Sequence, residues 1–147
     1  MRVEVPHKGA KVYIYTRVST EMQVEGYSLD AQKVEILKEV RRHDMVVAGE
    51  YTDEGRSGKS IVGRDGFQQM LDDIVARKDD VSFVLVYKLS RFGRNVADIL
   101  GTLKTMRFYG VHLIRLQMFL LTAKKLLKLL IQLKKLALKS LMRQGLL

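Results

Sequence analysis

The chain has 147 residues, which suffices for one ordinary domain or for one domain with an appendage. It contains 0 Cys, which excludes disulfides, thiolate catalysis and Cys-ligated metal sites, and its 3 His are too scattered to predict a metal centre. No secretory signal opens the chain, and the late uncharged stretch at 116–123 is too short to cross a bilayer. We therefore expect a cytoplasmic protein, whose net charge of +10 indicates a polyanionic partner.

The charge is unevenly distributed along the chain. Residues 1–110 contain 18 Lys and Arg and all 16 Asp and Glu, whereas residues 111–147 contain the other 8 basic residues and no acidic one. The second segment is also rich in leucine, with 14 Leu in 37 residues. Two compositions therefore meet near position 112. We place the boundary between a folded unit at 1–114 and a Leu/Lys-rich helical tail of atypical sequence at 115–147.

Strand-like and helix-like segments alternate through the first unit. The predicted strands are residues 11–18, 45–51, 81–87 and 110–114. The predicted helices are residues 28–42, 67–75 and 95–108, the first with Ser28 or Asp30 as N-cap. Residues 53–63 hold three glycines and predict a loop. This alternation predicts an α/β fold, with a mostly parallel central sheet flanked by helices and followed by a basic amphipathic helix.

Hydroxyl and arginine side chains follow three of the predicted strands. They are Arg17, Ser19 and Thr20 after the first strand, Asp53, Arg56, Ser57, Lys59 and Arg64 after the second, and Lys88, Ser90, Arg91 and Arg94 after the third. Because the carboxyl ends of parallel strands meet at one edge, these side chains should converge there. Arginine offers planar, permanently charged donors, so the cluster predicts a phosphate-handling site. The alternative is that each arginine is a solvated loop residue.

The cluster suits a phosphodiester better than an amide. Negative charge spreads over the non-bridging oxygens in the transition state, and fixed cations stabilise it. Ser19 could attack phosphorus, but on chemistry alone the hydroxyls of Thr20, Ser28, Ser57 and Ser60 are equally available. A small-molecule phosphatase or nucleotide hydrolase is the weaker interpretation, because the sequence contains no P-loop, no GxGxxG and no acidic metal cluster.

Four ordered blocks carry a family resemblance over about residues 10–114. They are YTRVST at 15–20, SLDAQ at 28–32, DEGRSG at 53–58 and YKLSRFGRN at 87–95. Together they resemble the catalytic domain of the serine recombinases (resolvases and invertases). The spacer EMQVEGY at 21–27 is similar to that of the large serine integrases and conjugative-transposon recombinases.

The resemblance implies a role for each matching residue. Ser19 would be the nucleophile that forms a 5′-phosphoserine with DNA, and the scissile phosphate would be bound by Arg17, Arg64, Arg91 and Arg94. Supporting positions would be Tyr15, Gln23, Gln32, Asp53 and Ser57, and the candidate DNA contacts are Lys59, Lys88, Lys124, Lys125 and Lys128. The implied partners are double-stranded DNA and further copies of the chain, as a homodimer that assembles to a tetramer. The resemblance implies no metal, no small-molecule cofactor and no membrane. The protein would be encoded by a bacterium or by a mobile element, and it would be associated with the nucleoid.

The sequence departs from the family pattern at two single positions and throughout the segment after Ile114. Ser90 and Ser82 stand where much of the family has Asp. Beyond Ile114 the family's acidic-glycine strand and its long helix with a Glu-Arg pair are replaced by a sequence with none of those landmarks. We therefore expect a shortened or impaired recombinase. The alternative is a catalytically silent DNA-binding or oligomerisation module with the same fold.

The tail itself leaves several interpretations open. A basic amphipathic helix can bind a partner helix, a membrane surface or DNA phosphates. The abrupt loss of acidic residues also fits an out-of-frame terminus or a divergent dimer helix.

Overall fold

The computed structural model describes residues 5–18, 28–54, 64–93 and 95–146, except for the side chains of 90 and 117–124. The chain divides into two compact units, Met1–Leu116 and Gln117–Leu147. The first unit contains the sheet and the helices that cover it, and the second consists mainly of one long helix.

Four parallel strands form the sheet of the first unit. They are β1 (Lys11–Val18), β2 (Val46–Glu54), β3 (Phe83–Val86) and β4 (His112–Arg115), in the spatial order β2-β1-β3-β4. Strand β1 lies in the interior of the sheet, and every residue after its first is buried. A strand covered on both faces reads as a continuous apolar or β-branched run, which explains its sequence.

Helices cover both faces of the sheet. They are α1 (Leu29–Arg42), α2 (Asp65–Val75), α3 (Leu89–Phe92) and α4 (Val96–Phe108). Helix α1 packs Ile36 and Val40 on one face, against residues that include Val12 and Ile14. Helices α2 and α4 cover the other face, where the core includes Tyr13, Tyr15, Phe67, Met70 and Met106. The predicted α/β fold is confirmed.

One predicted helix boundary is confirmed, and two other places differ from the prediction. Ser28 is the N-cap of α1, because its side chain accepts a hydrogen bond from the backbone N–H of Ala31 at 3.1 Å. Strand β2 continues to Glu54, so Asp53 belongs to the sheet and not to the predicted loop; it lies in register with Arg17. Helix α3 was not predicted, because a four-residue helix has no hydrophobic period to detect. The rest of the predicted loop, 55–63, lies outside the described residues.

The second unit is built around α5 (Leu116–Arg143), a helix of 28 residues. This confirms the predicted helical tail. Its side chains are exposed throughout the stretch 125–146, and among them Leu136 is 63% exposed. Within the described part of the chain, no helix has both the length and the apolarity that a membrane span requires.

Gly66 marks the closest approach between a helix and the sheet. It lies in the first turn of α2, and a Cβ at this position would come within 2.6 Å of the backbone oxygen of Thr52 in β2. A backbone atom cannot move aside as a flexible side chain can. The absence of a side chain at Gly66 therefore sets how closely α2 approaches β2.

We expect Gly66→Ala to destabilise the fold by about 1–3 kcal/mol, the usual range for overpacking. Gly101→Ala is the matched control, because Gly101 lies in the interior of α4 and a Cβ added there would meet nothing within 4 Å. That change should stabilise the fold by up to about 1 kcal/mol through helix propensity. Urea unfolding of both variants measures the difference. Equal free energies of unfolding would show that the contact between α2 and β2 can relax.

Candidate active site

Three arginines are buried together at the carboxyl end of β1. Arg17 is 3% exposed, Arg64 is 6% exposed and Arg91 is 2% exposed. Arg17 is the last but one residue of β1, Arg64 directly precedes α2, and Arg91 lies in α3. A buried charge is costly unless its hydrogen bonds are made, so the contacts of these guanidinium groups define the site.

The guanidinium groups of Arg17 and Arg64 meet at the end of α3. Arg17 Nε donates to the backbone oxygen of Arg91 at 3.2 Å, and Arg64 Nη2 donates to the same oxygen at 3.1 Å. Arg64 Nη1 donates to the backbone oxygen of Phe92 at 2.9 Å. The last carbonyls of a helix have no intrahelical partner, and cationic donors there are favourable. The two arginines therefore fix the segment that carries Arg91.

The hydroxyl of Tyr15 links Arg64 to the neighbouring strand. It accepts hydrogen bonds from Nε of Arg64 at 3.0 Å and from Nη2 of the same group, and it donates to Asp53 Oδ2 at 2.8 Å. Burial raises the pKa of Tyr15 well above its usual range, against the opposing charge of Arg64. The hydroxyl of Tyr15 thus keeps its proton between Arg64 and Asp53.

Asp53 also begins helix α2 from the neighbouring strand. Its Oδ1 accepts from the backbone N–H of Gly66 at 2.8 Å, and its Oδ2 accepts from that of Phe67 at 2.9 Å. Arg64, at the N-cap position, makes no side-chain capping bond of its own. A carboxylate at a helix N-terminus satisfies free N–H groups and is electrostatically favoured there. Asp53 thereby fixes the position at which α2 starts, one residue after Arg64.

Gln32 ties α1 to the end of β1. Its side chain is buried, and its Nε2 donates to the backbone oxygen of Arg17 at 3.1 Å. Among the described residues its Oε1 has no hydrogen-bond partner. Gln32 therefore contacts the strand two residues before Ser19.

The structure brings together six of the residues proposed for the site from the sequence. They are Tyr15, Arg17, Gln32, Asp53, Arg64 and Arg91. Lys88 is half-buried just before α3, and Lys125 and Lys128 are exposed on α5. The proposed residues that lie outside the described part of the chain are Ser19, Thr20, Gln23, Arg56, Ser57, Lys59, Ser60 and Arg94, together with the side chains of Ser90 and Lys124.

Phe67 belongs to the site and was missed in the sequence, where it was assigned only to the apolar face of a helix. Its ring centroid lies 4.3 Å from Cζ of Arg64. The spacing of three residues between Arg64 and Phe67 places both on one side of the first turn of α2. That spacing was the available signal, but many apolar helix positions share it.

Residues 12–138 match the family model described as Resolvase, N terminal domain. The chain therefore belongs to the resolvase family of serine recombinases. No curated protein matches the chain.

Solved structures with the same fold include two catalytic proteins of this family. A resolvase family site-specific recombinase from Streptococcus pneumoniae is 44% identical with a TM-score of 0.63, and the alignment covers 92% of this chain and 98% of that one. The N-terminal catalytic domain of TP901-1 integrase is 30% identical with a TM-score of 0.63, over 84% of this chain and 98% of that one. The C-terminal catalytic domain of ISC1926 TnpA, an IS607-like serine recombinase, shares the fold at 22% identity and a TM-score of 0.61, over 72% of this chain and 69% of that one.

These likenesses establish the class of enzyme. The chain is a site-specific recombinase domain of the resolvase family, in which catalysis by serine is typical. The resemblance seen in the four sequence blocks is confirmed.

A second polar cluster lies on the same face of the sheet, further toward the start of β1. Tyr13 donates to Asp79 Oδ2 at 2.5 Å, Tyr51 donates to Asp73 Oδ2 at 2.6 Å, and the two rings pack edge to face with centroids 4.9 Å apart. Burial raises the pKa of Tyr13 to about 12 and that of Tyr51 further. The hydrogen bond from Tyr51 lowers the pKa of Asp73. The bond from Tyr13 to Asp79 holds the loop after α2 against β1, and the bond from Tyr51 to Asp73 holds α2 itself against β2.

The fold should lose stability in alkali because of these tyrosines. An unfolded tyrosine titrates near pH 10, whereas Tyr13 in the fold keeps its proton to about pH 12. The unfolded chain therefore releases protons first, and the free energy of unfolding should fall as the pH rises from about 10 towards 12. Tyr13→Phe should make this fall shallower in urea unfolding followed at several pH values. Asp79→Asn, which removes one neighbouring charge, should give an intermediate slope. Identical slopes for Tyr13→Phe and wild type would contradict the assignment.

Proposed function

We propose that this domain cleaves and rejoins double-stranded DNA with Ser19 as the nucleophile. The observation that carries the proposal is the burial of Arg17, Arg64 and Arg91 at the end of β1, directly before position 19 in the chain. Fixed guanidinium groups in a partly desolvated site stabilise the negative charge that develops on a phosphodiester during attack. Arg94, three residues after Arg91, is proposed as a fourth donor to the same phosphate.

The proposed step exchanges one phosphodiester for another. Ser19 Oγ forms a bond to phosphorus, the bond from phosphorus to the 3′ oxygen breaks, and the 3′ oxygen takes up a proton as Ser19 loses one. The product is a 5′-phosphoserine and a free 3′ hydroxyl. Because one phosphate ester replaces another, the bond energy is kept for religation. The arginines act on the shared transition state in both directions.

Ser19→Ala should abolish the covalent adduct while leaving the fold and DNA affinity unchanged. The test uses a pool of nicked duplexes with a randomised centre, since a nick lets the cleaved strand escape and traps the phosphoserine. Adducts are counted by denaturing electrophoresis of the protein–DNA complexes.

Thr20→Ala is the matched control, because it removes the adjacent hydroxyl. Adduct formation should persist in this variant. An adduct in Ser19→Ala together with its loss in Thr20→Ala would move the nucleophile to Thr20. The absence of adduct in every protein, wild type included, would favour a catalytically silent module.

We further propose that α5 mediates assembly of copies of this chain, as a dimer that pairs to a tetramer. Its leucines are exposed in the single chain, and Leu126, Leu130 and Leu133 recur at the 4–3 spacing of a helix seam. The family match continues to residue 138, well into α5, which supports a role for this segment in the recombinase. The division into a catalytic unit at 1–114 and a helical tail at 115–147 stays part of this proposal.

The basic side of α5 is proposed to contact DNA. Lys125, Lys128, Lys135 and Lys139 fall within one arc of the helix, and α5 contains no acidic residue to pair with them. Such contacts neutralise phosphates and carry no base readout. A recombinase from a bacterium shares this fold, so we place the protein with bacterial or mobile-element DNA at the nucleoid.

Binding to unrelated duplex DNA should weaken steeply with salt if these lysines contact phosphates. Each contact contributes up to about 0.9 to the logarithmic slope, so Lys125→Gln with Lys128→Gln should lower the slope by up to about 1.8. The control is the double variant Lys8→Gln with Lys11→Gln. Both side chains are exposed near the start of β1, at the end of that strand away from Arg17. Fluorescence anisotropy across a salt series gives the slopes. An equal drop in both double variants would mean that the slope reports net charge and not contact by α5.

A further inference from the structure

The edge of the Arg64 guanidinium is fixed by the protein itself. Nε and Nη2 donate to the hydroxyl of Tyr15, Nη2 also donates to the backbone oxygen of Arg91, and Nη1 donates to that of Phe92. All these acceptors lie around the rim of the planar group. They occupy the rim of the guanidinium and leave its two faces to other contacts.

The ring of Phe67 lies close to the same guanidinium group. Its ring centroid is 4.3 Å from Arg64 Cζ, nearer than the Tyr15 ring centroid at 5.1 Å. Aromatic rings attract guanidinium groups within about 6 Å, and the attraction is strongest when both are desolvated, as here. Among the described residues no carboxylate comes within ion-pair distance of Arg64. The ring of Phe67 therefore adds a cation–π contact to the four hydrogen bonds of this buried cation.

The ring of Phe67 is itself held on several sides. It packs edge to face on Tyr15 at 5.2 Å and on Phe92 at 5.1 Å, and it is 1% exposed. Its backbone N–H donates to Asp53, and the adjacent Gly66 lets the helix lie directly on β2. A tilt of the ring would have to move β1, α3 or the start of α2. Phe67 thus transmits the position of three elements to the plane of Arg64.

We propose that Phe67 is a positioning residue of the recombinase, which sets the plane of the Arg64 guanidinium for contact with the scissile phosphate. The proposal rests on the proposed role of Arg64 in DNA cleavage. The protein uses four of the five N–H groups of Arg64, so one N–H on Nη1 remains for a phosphate oxygen. The direction of that N–H follows the guanidinium plane, so the orientation of the plane decides how well Arg64 stabilises the transition state. An aliphatic side chain at position 67 would fill the space without attracting or orienting the guanidinium.

The test compares Phe67→Leu with Phe83→Leu in the full chain. Phe83 is also 1% exposed but belongs to the core on the α1 face, so both changes remove an aromatic ring from a packed interior. The rate of adduct formation and the DNA concentration that gives half the maximal rate are measured on the pool of nicked duplexes, with the melting temperature alongside. We expect Phe67→Leu to slow the maximal rate by about 10- to 100-fold at unchanged half-saturation. Phe83→Leu should lower the melting temperature comparably and keep the rate.

A double-mutant comparison shows whether Phe67 acts through Arg64. In the Arg64→Lys background, Phe67→Leu should cause little additional loss, because the group that it positions has already been replaced. If the rate losses of the two single variants instead multiply in the double variant, Phe67 has a general packing role and the inference is overturned. If Phe67→Leu does not fold, Phe67→Met keeps nearly the same volume and should show the same slowing.

The outcomes separate this inference from the proposed function. If Arg64→Lys slows cleavage and Phe67→Leu does not, Arg64 keeps its proposed role and Phe67 loses its own. If Arg64→Lys cleaves at the wild-type rate, the proposed role of Arg64 is wrong, and the inference for Phe67 fails with it. Adduct loss in Ser19→Ala tests the nucleophile independently of both.

Discussion

The backbone oxygen of Arg91 is the point on which the site depends. It accepts hydrogen bonds from Arg17 on β1 and from Arg64 at the start of α2, so one carbonyl joins three elements that are distant in sequence. A carbonyl has two lone pairs, and both are used here. Because the oxygen belongs to α3, the same two bonds hold the segment that contains Arg91. Any movement of β1, α2 or α3 relative to the others must break one of them.

A neutral hydroxyl separates the buried cation of Arg64 from the carboxylate of Asp53 near this point. Asp53 faces Arg64 through the hydroxyl of Tyr15, and its carboxylate also receives two N–H groups of α2. The carboxylate is therefore not in direct contact with the guanidinium, whose charge is only partly neutralised by it. A site of this kind keeps an excess of positive charge that an anionic group such as a phosphate can neutralise.

The sequence predicted the fold class and the convergence of several candidate residues at one edge of the sheet, because both depend on short-range patterns. The β-rich segment of β1, the continuous apolar run around β3 and the helical period of α1 can be read from the order of the residues, and strand exits place Arg17 and Arg91 on one edge. Two features were not predictable. Helix α3 is too short for a period, and the bonds of Asp53 with α2 join two segments whose approach distance is set by Gly66. The contact of Phe67 with Arg64 is local, but its spacing of three residues is shared by many apolar helix positions. The sequence pattern shows which residues share an edge of the sheet, but it does not show which hydrogen bond each side chain makes.

The immobilised arginines also change where conformational entropy is lost. A free arginine side chain loses about 2 kcal/mol of rotamer entropy when it is fixed. Arg17 and Arg64 are already held by backbone carbonyls in the folded chain, so that loss is part of the free energy of folding. The exposed lysines of α5 keep their freedom until they meet a partner. Under the proposed function, DNA would therefore contact two kinds of cation. The arginines are ordered before DNA binds, whereas the lysines of α5 must be ordered during association.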